Sequence, residues 1–228
     1  RILGYNLISN FKRPFLSKNP AEFWRRWHIS LSSWFQDYIF TPIYLKFLNM
    51  HLISKISSKN KHFLAFLISI LILEVLIGLW HGANVTFVIF GIYYAFVIFI
   101  YYSARKYWDS MNKYVQMILT LIIIFFSWII FRANNLGDLI YLLTNILNFE
   151  NVLNIRLLGG LLWSELFIIV FFITLIISFE FVEEFFPELK QRVFARFNWL
   201  NWIIYILILL SLLFFGKFHN SNFIYAQF

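Results

Sequence analysis

The stretch Phe63-Leu64-Ala65-Phe66-Leu67-Ile68-Ser69-Ile70-Leu71-Ile72-Leu73-Glu74-Val75-Leu76-Ile77-Gly78-Leu79-Trp80, closing on His81-Gly82-Ala83-Asn84, decides the fold class. Its eighteen residues before His81 carry one charged side chain, close to the ~20 apolar residues a helix needs to cross a bilayer. Four more apolar runs follow, at about 86–102, 114–131, 161–181 and 199–216. They predict an all-α polytopic membrane protein of about five transmembrane helices. Composition agrees. The chain of 228 residues is 61% hydrophobic, 22% aromatic and 13% charged, with a mean hydropathy of +0.73, whereas a soluble domain is about a quarter charged. Its 30 Phe exceed what one soluble core hides. The net charge of +8 reads as positive-inside topology, and no basic patch is interleaved with a soluble nucleic-acid module. The absence of cysteine excludes a disulfide framework, a thiolate nucleophile and a Cys-ligated zinc. No His-Glu-x-x-His spacing suggests a catalytic metal, and no Gly-x-Ser-x-Gly elbow suggests a serine hydrolase.

His81 is the first candidate functional residue, because an ionisable side chain at membrane depth is costly. The plainer reading is an interfacial histidine between two spans, with Trp80 as a belt residue. Gly78 and Gly82 leave room for a backbone or substrate near the imidazole. Asn84 shares a face with His81 if the turn is helical. Glu74 and Glu165 interrupt the first and fourth runs, where carboxylates face a cavity or a partner.

Upstream, Asn19-Pro20-Ala21-Glu22 reads as a helix start, with Asn19 as N-cap, and Pro42 as a stop. Within 20–41, Trp24, Trp27, Leu31, Trp34, Phe35 and Tyr38 recur at helical spacing, opposite Arg26, Ser33, Gln36 and Asp37. Such an amphipathic helix lies at the interface or re-enters the membrane. His28 stands at the edge of its apolar face, next to Arg25 and Ser32. Residues 43–62 read as a basic loop, with His51 and His62 as ordinary exposed histidines. A short amphipathic helix is expected around Leu136–Leu147.

Lys and Arg counts in alternate loops set the topology. Loops 43–62, 103–113 and 182–198 hold four, three and three; loops 81–85 and 132–160 and the tail hold none, two and one. The first set is therefore cytoplasmic and the C-terminus extracytoplasmic. Segment 1–26, with six more, is counted to the inner side. That places His28 near the cytoplasmic face and His81 at another depth.

Four stretches carry a family resemblance. Leu79-Trp80-His81-Gly82-Ala83-Asn84-Val85-Thr86-Phe87 resembles the active-site motif of the membrane-bound O-acyltransferases, in their bacterial alginate and polysaccharide O-acetyltransferase branch. Glu22-Phe23-Trp24-Arg25-Arg26-Trp27-His28-Ile29-Ser30-Leu31-Ser32 is similar to that branch's upstream signature. Phe126-Ser127-Trp128-Ile129-Ile130-Phe131-Arg132-Ala133 resembles its later helix end, and Phe223-Ile224-Tyr225-Ala226-Gln227-Phe228 its C-terminus. The chain departs from the family after Tyr38, where Phe40-Thr41-Pro42-Ile43-Tyr44-Leu45 replaces a Tyr-Ile-Pro-Leu-Gly-Gly-like turn.

The resemblance implies that residues 1–228 are the C-terminal part of one membrane domain, preceded by further helices. It implies an O-acyltransferase of the bacterial inner membrane. Its donor would be an acyl thioester, acetyl-CoA or an acyl-carrier protein, entering from the cytoplasm, with no tightly bound cofactor. Its acceptor would be an extracytoplasmic polysaccharide, reached directly or through a separate periplasmic or extracellular transferase. His81 is carried over as the catalytic histidine and His28 as the second functional position. Asn84, Trp80, Arg25, Trp27 and Ser32 are the candidate substrate-binding residues. Two alternatives stand beside this reading: D-alanyl transfer to a teichoic acid, and a transporter or channel. The latter would favour inverted repeats, and the sequence shows none.

Overall fold

The computed structural model describes residues 4, 7–50, 57–146, 163–188 and 199–215. Among these, every regular element is helical. In chain order they are α1 (Pro20–Arg26), α2 (Ile29–Phe35), α3 (Thr41–Asn49), α4 (Ser58–His81), α5 (Val85–Ser103), α6 (Arg105–Ser110), α7 (Lys113–Arg132), α8 (Leu136–Asn145), α9 (Trp163–Phe185) and α10 (Trp199–Phe215). α4, α5 and α7 are long and apolar enough to cross a membrane. α9 and α10 stand where the fourth and fifth apolar runs were expected. The chain divides into two compact units, Arg1–Ile177 and Ser178–Phe228. His28, His81 and the helices that carry them belong to the first.

α4 and α5 form an antiparallel hairpin, and glycine sets how close they come. A Cβ at Gly91 would collide with the Glu74 carbonyl, and one at Gly78 with the Phe87 carbonyl. Small residues let helix backbones approach where lipid supplies no hydrophobic drive. Further along, Phe63 faces Phe99 and Phe66 faces Tyr102. α7 runs antiparallel to α5. The buried Tyr94 and Ser127 hydroxyls bond at 2.9 Å, and Tyr93 donates to the Ile123 carbonyl at 2.8 Å.

The helix expected over 20–41 is three pieces. Asn19 caps α1 as its position predicts, its Oδ1 accepting the Glu22 N–H at 2.7 Å. The Glu22 carboxylate turns back to the Lys18 N–H at 2.9 Å and to Arg26 at 2.7 Å. The chain then breaks at Trp27-His28, with His28 in the left-handed region at φ 45°. Pro42 does not stop the helix. A π turn over Gln36–Phe40 joins α2 to α3. Its wider ring gives the proline room, and the Thr41 hydroxyl donates to the Gln36 carbonyl at 2.9 Å.

The resulting Ile29–Asn49 rod lies antiparallel along α4. His28 meets Trp80, Phe40 meets Phe66, and Tyr44 meets His62. Phe35 is buried against Ile70, Leu73 and Ile77. The rod therefore follows α4 along most of its length. The supposed basic loop 43–62 is correspondingly short, since α3 continues to Asn49 and α4 begins at Ser58. His62 is exposed, as expected, and its Nδ1 bonds the Tyr44 hydroxyl at 2.8 Å. The helix expected near 136 is α8, capped by Asn135 Oδ1 on the Asp138 N–H. His51, residues 147–160 of loop 132–160, the cations of 189–198 and the ending Phe223–Phe228 lie outside the described residues, as does the Glu165 side chain.

Candidate active site

α4 ends because Gly82 turns the chain at φ 149°, a conformation that side-chain-bearing residues rarely adopt. This leaves His81 on the last turn of α4, inside an aromatic shell drawn from three helices. Its ring lies 4.8 Å from Trp80, 4.9 Å from Phe131 of α7, and 6.1 and 6.2 Å from Phe87 and Phe90 of α5. The space expected beside Gly78 and Gly82 is taken. The Phe87 carbonyl fills it at Gly78, the close backbone approach that the glycine allows, and the Phe87 ring fills it at Gly82.

The turn after His81 is not helical, and Asn84 is the N-cap of α5. Its Oδ1 accepts the Thr86 N–H at 3.2 Å, and its Nδ2 donates to the Asn134 carbonyl beyond α7. The amide thus ties the start of α5 to the exit of α7.

His28 reaches the same place by another route. The left-handed backbone at residue 28 costs a non-glycine residue on the order of 1–2 kcal/mol, and such strain gathers at functional positions. The imidazole is held between Phe11 at 6.0 Å and Trp80 at 6.4 Å, its Nδ1 buried with no hydrogen-bond partner among the described residues. Both histidine rings therefore pack edge-on against one indole. The expectation that they sit at separate depths is overturned, because α2 runs antiparallel to α4 and starts beside its end. Segment 1–26, counted whole to the inner side, reaches both ends of the α4–α5 hairpin. Its Asn10 bonds residues 29 and 30 beside the histidines, while the Lys18 carbonyl accepts from the indole of Trp108, beyond the far end of α5.

Trp27 faces a different cluster, stacked on Phe23 at 5.5 Å and edge-on to Phe11 at 4.9 Å. Ser32 donates to the Trp27 carbonyl at 3.1 Å, bracing the break. Ser32 and Arg25 both line a cavity of about 460 Å³ between α1, the α2–α3 rod, α4 and α5. Glu74 also lines it. It is 3% exposed, and its Oε2 has no partner among the described residues, nor has the buried indole nitrogen of Trp24 on the same wall. The cavity runs from the level of Ile77 towards Phe66 and Tyr102. It thus occupies the depth between the histidine pair and the lysine-bearing end of α4. Among the described residues, no group of three or more His, Asp or Glu is placed to hold a metal.

Proteins similar to this chain share one kind of chemistry in their names. A Pseudomonas syringae pv. tomato protein named "Probable alginate O-acetylase" is 34% identical over 139 residues, 59% of this chain and 24% of its own length. The teichoic acid D-alanyltransferase of Bacillus subtilis is 36% identical over 114 residues, 50% of this chain and 27% of its own. The peptidoglycan O-acetyltransferase of Helicobacter pylori is 29% identical over 147 residues, 63% of this chain and 25% of its own. The chain is similar to these acyl-transferring proteins over 50–63% of its own length. No family model matches it, and the matched stretch spans about a quarter of these relatives' length.

The aromatic shell around His81 is the part of the site that the sequence did not reveal. Phe87 and Phe131 lie within the family-like stretches, but nothing in their spacing shows that both ring one imidazole. The shell keeps His81 in an apolar, water-poor setting while Trp80, 39% exposed, leaves one side open.

Proposed function

We propose that the full-length protein is an O-acyltransferase of the bacterial inner membrane that acylates hydroxyls of an extracytoplasmic polysaccharide. The observation that carries this reading is the convergence of His81 and His28 on Trp80. The relatives' names support it. His81 takes the acceptor hydroxyl's proton, the oxygen attacks the acyl carbonyl, and the carbon–sulfur bond breaks. The departing thiolate then takes that proton. His28 positions the thioester.

The donor, acetyl-CoA or an acyl-carrier thioester, arrives from the cytoplasm. The cavity lined by Arg25, Ser32 and Glu74 lies on the lysine-bearing side of the histidines, which supports that direction. The tail is then extracytoplasmic, where the acceptor polysaccharide or a separate transferase receives the acyl group. A D-alanyl donor with a teichoic acid acceptor is a second reading, favoured by the 36% identity to the Bacillus subtilis enzyme.

His81→Ala in the full-length protein tests the assignment. Membrane abundance should stay near normal while acylation of surface glycans, read by mass spectrometry, falls by the ~10²–10⁴ that a lost general base costs. Near-wild-type acylation would remove His81 from the chemistry. The mass of the missing group, acetyl or alanyl, decides between the two readings.

A further inference from the structure

α2 begins without help from its own first residue. His28 occupies the N-cap position, where Ser, Thr, Asp or Asn ordinarily accepts an N–H of the first turn, yet its side chain makes no cap hydrogen bond. The free N–H groups that open any helix need acceptors. Here Asn10 supplies them from eighteen residues upstream. Its carbonyl accepts the Ile29 N–H at 2.9 Å, and its Oδ1 accepts the Ser30 N–H at 2.9 Å. The Lys12 N–H bonds the Arg26 carbonyl at 2.9 Å, so the upstream segment grips the chain on both sides of the break. Phe11, between these two anchors, packs on the imidazole of His28.

We propose that Asn10 is a positioning residue for His28, a distant cap that keeps the strained backbone at residue 28 and frees its ring to face Trp80 and His81. An N-cap side chain folds back over its own helix. A histidine so engaged could not lie against Trp80. By supplying the cap from elsewhere, Asn10 separates the demands of the helix end from those of the site. This rests on the reading of His28 as a donor-positioning group, and the two can fail separately.

The test uses the full-length protein with Asn10→Leu, Asn10→Ser and Asn10→Asp, of which aspartate keeps the acceptor oxygen. Modification of His28 by diethyl pyrocarbonate, followed by mass spectrometry, reports the packing of the ring independently of activity. The exposed His62 is the internal reference. Losing one hydrogen bond should raise the reactivity of His28 about fivefold in Asn10→Leu. Asn10→Ser should fall between, and Asn10→Asp should match the wild type. Any other order among the variants that accumulate overturns the proposal, including an unchanged rate throughout.

Turnover then tests the link to function. Asn10→Leu should shift the response to thioester concentration in the direction of His28→Gln. Combined with His28→Gln it should add little, since both act through one ring. Additive losses would make Asn10 merely structural. If His28→Gln leaves donor response and rate untouched while the reactivity order holds, the donor role of His28 has failed and the positioning by Asn10 stands.

Discussion

Two turns in this protein deliver a histidine to the same indole, and they do so by opposite means. At the α4–α5 turn everything is local. α4 runs out at Gly82, Asn84 caps α5, and the glycines at 78 and 91 close the two helices on each other. His81 sits in ordinary helical backbone at the end of a long span. At the α1–α2 break little is local. His28 is in left-handed backbone, its helix is capped from Asn10, and its ring is wedged by Phe11 and Trp80. One histidine is placed by secondary structure. The other is placed by tertiary contact.

The comparison is broken most severely at the hairpin. Gly91→Leu would drive a side chain into the Glu74 carbonyl, where only backbone can move aside. Forcing bulk into a packed interface typically costs ~1–3 kcal/mol and more where the neighbour is rigid. The full-length protein carrying Gly91→Leu should lose most of its accumulation and thermal stability, judged by fluorescence-detected chromatography after heating. A normally stable variant would mean that α4 and α5 are not in backbone contact.

A smaller effect is expected at the second turn. His28→Gln keeps a hydrogen-bond donor but changes shape and charge. Turnover should fall by roughly tenfold, within the range that misplacement near a reacting group brings, with a raised requirement for donor. A loss as complete as that of His81→Ala would make the two histidines equal partners in proton transfer. No change in the response to donor would make His28 a packing residue.

The difference between the turns also explains what could be read from the chain. The apolar run 63–80 announced α4, and the position of His81 followed from where that run ended. The Asn19 cap was equally local. Pro42 misled because Thr41 before it keeps helical dihedrals, φ −62° and ψ −48°, where the rule favours extended backbone, with the π turn at Gln36–Phe40 leading into it. The depth of His28 misled for a different reason. Helical spacing tells which face of Ile29–Phe35 is apolar, not which neighbour receives it. Only the antiparallel packing on α4 brought residue 28 to residue 80. Glu74 was legible as a cavity-facing carboxylate, whereas the identity of that cavity's other walls depended on the same packing.

The finest test exploits the backbone itself. At residue 28, alanine inherits the left-handed strain and glycine does not, because its missing Cβ is the atom that clashes. At residue 81, in helical backbone, the order reverses, since glycine is a poorer helix former than alanine by ~0.5–1 kcal/mol. Both pairs lose the same imidazole contacts, so the ring cancels within each pair. His28→Gly should therefore unfold at a higher temperature than His28→Ala, by the equivalent of about 1 kcal/mol. His81→Gly should unfold at a lower temperature than His81→Ala. The sign inversion isolates backbone conformation from every side-chain effect. If alanine were the more stable choice at both positions, the chain would pass through Trp27-His28 as continuous helix, and the rod along α4 would have to begin at Pro20.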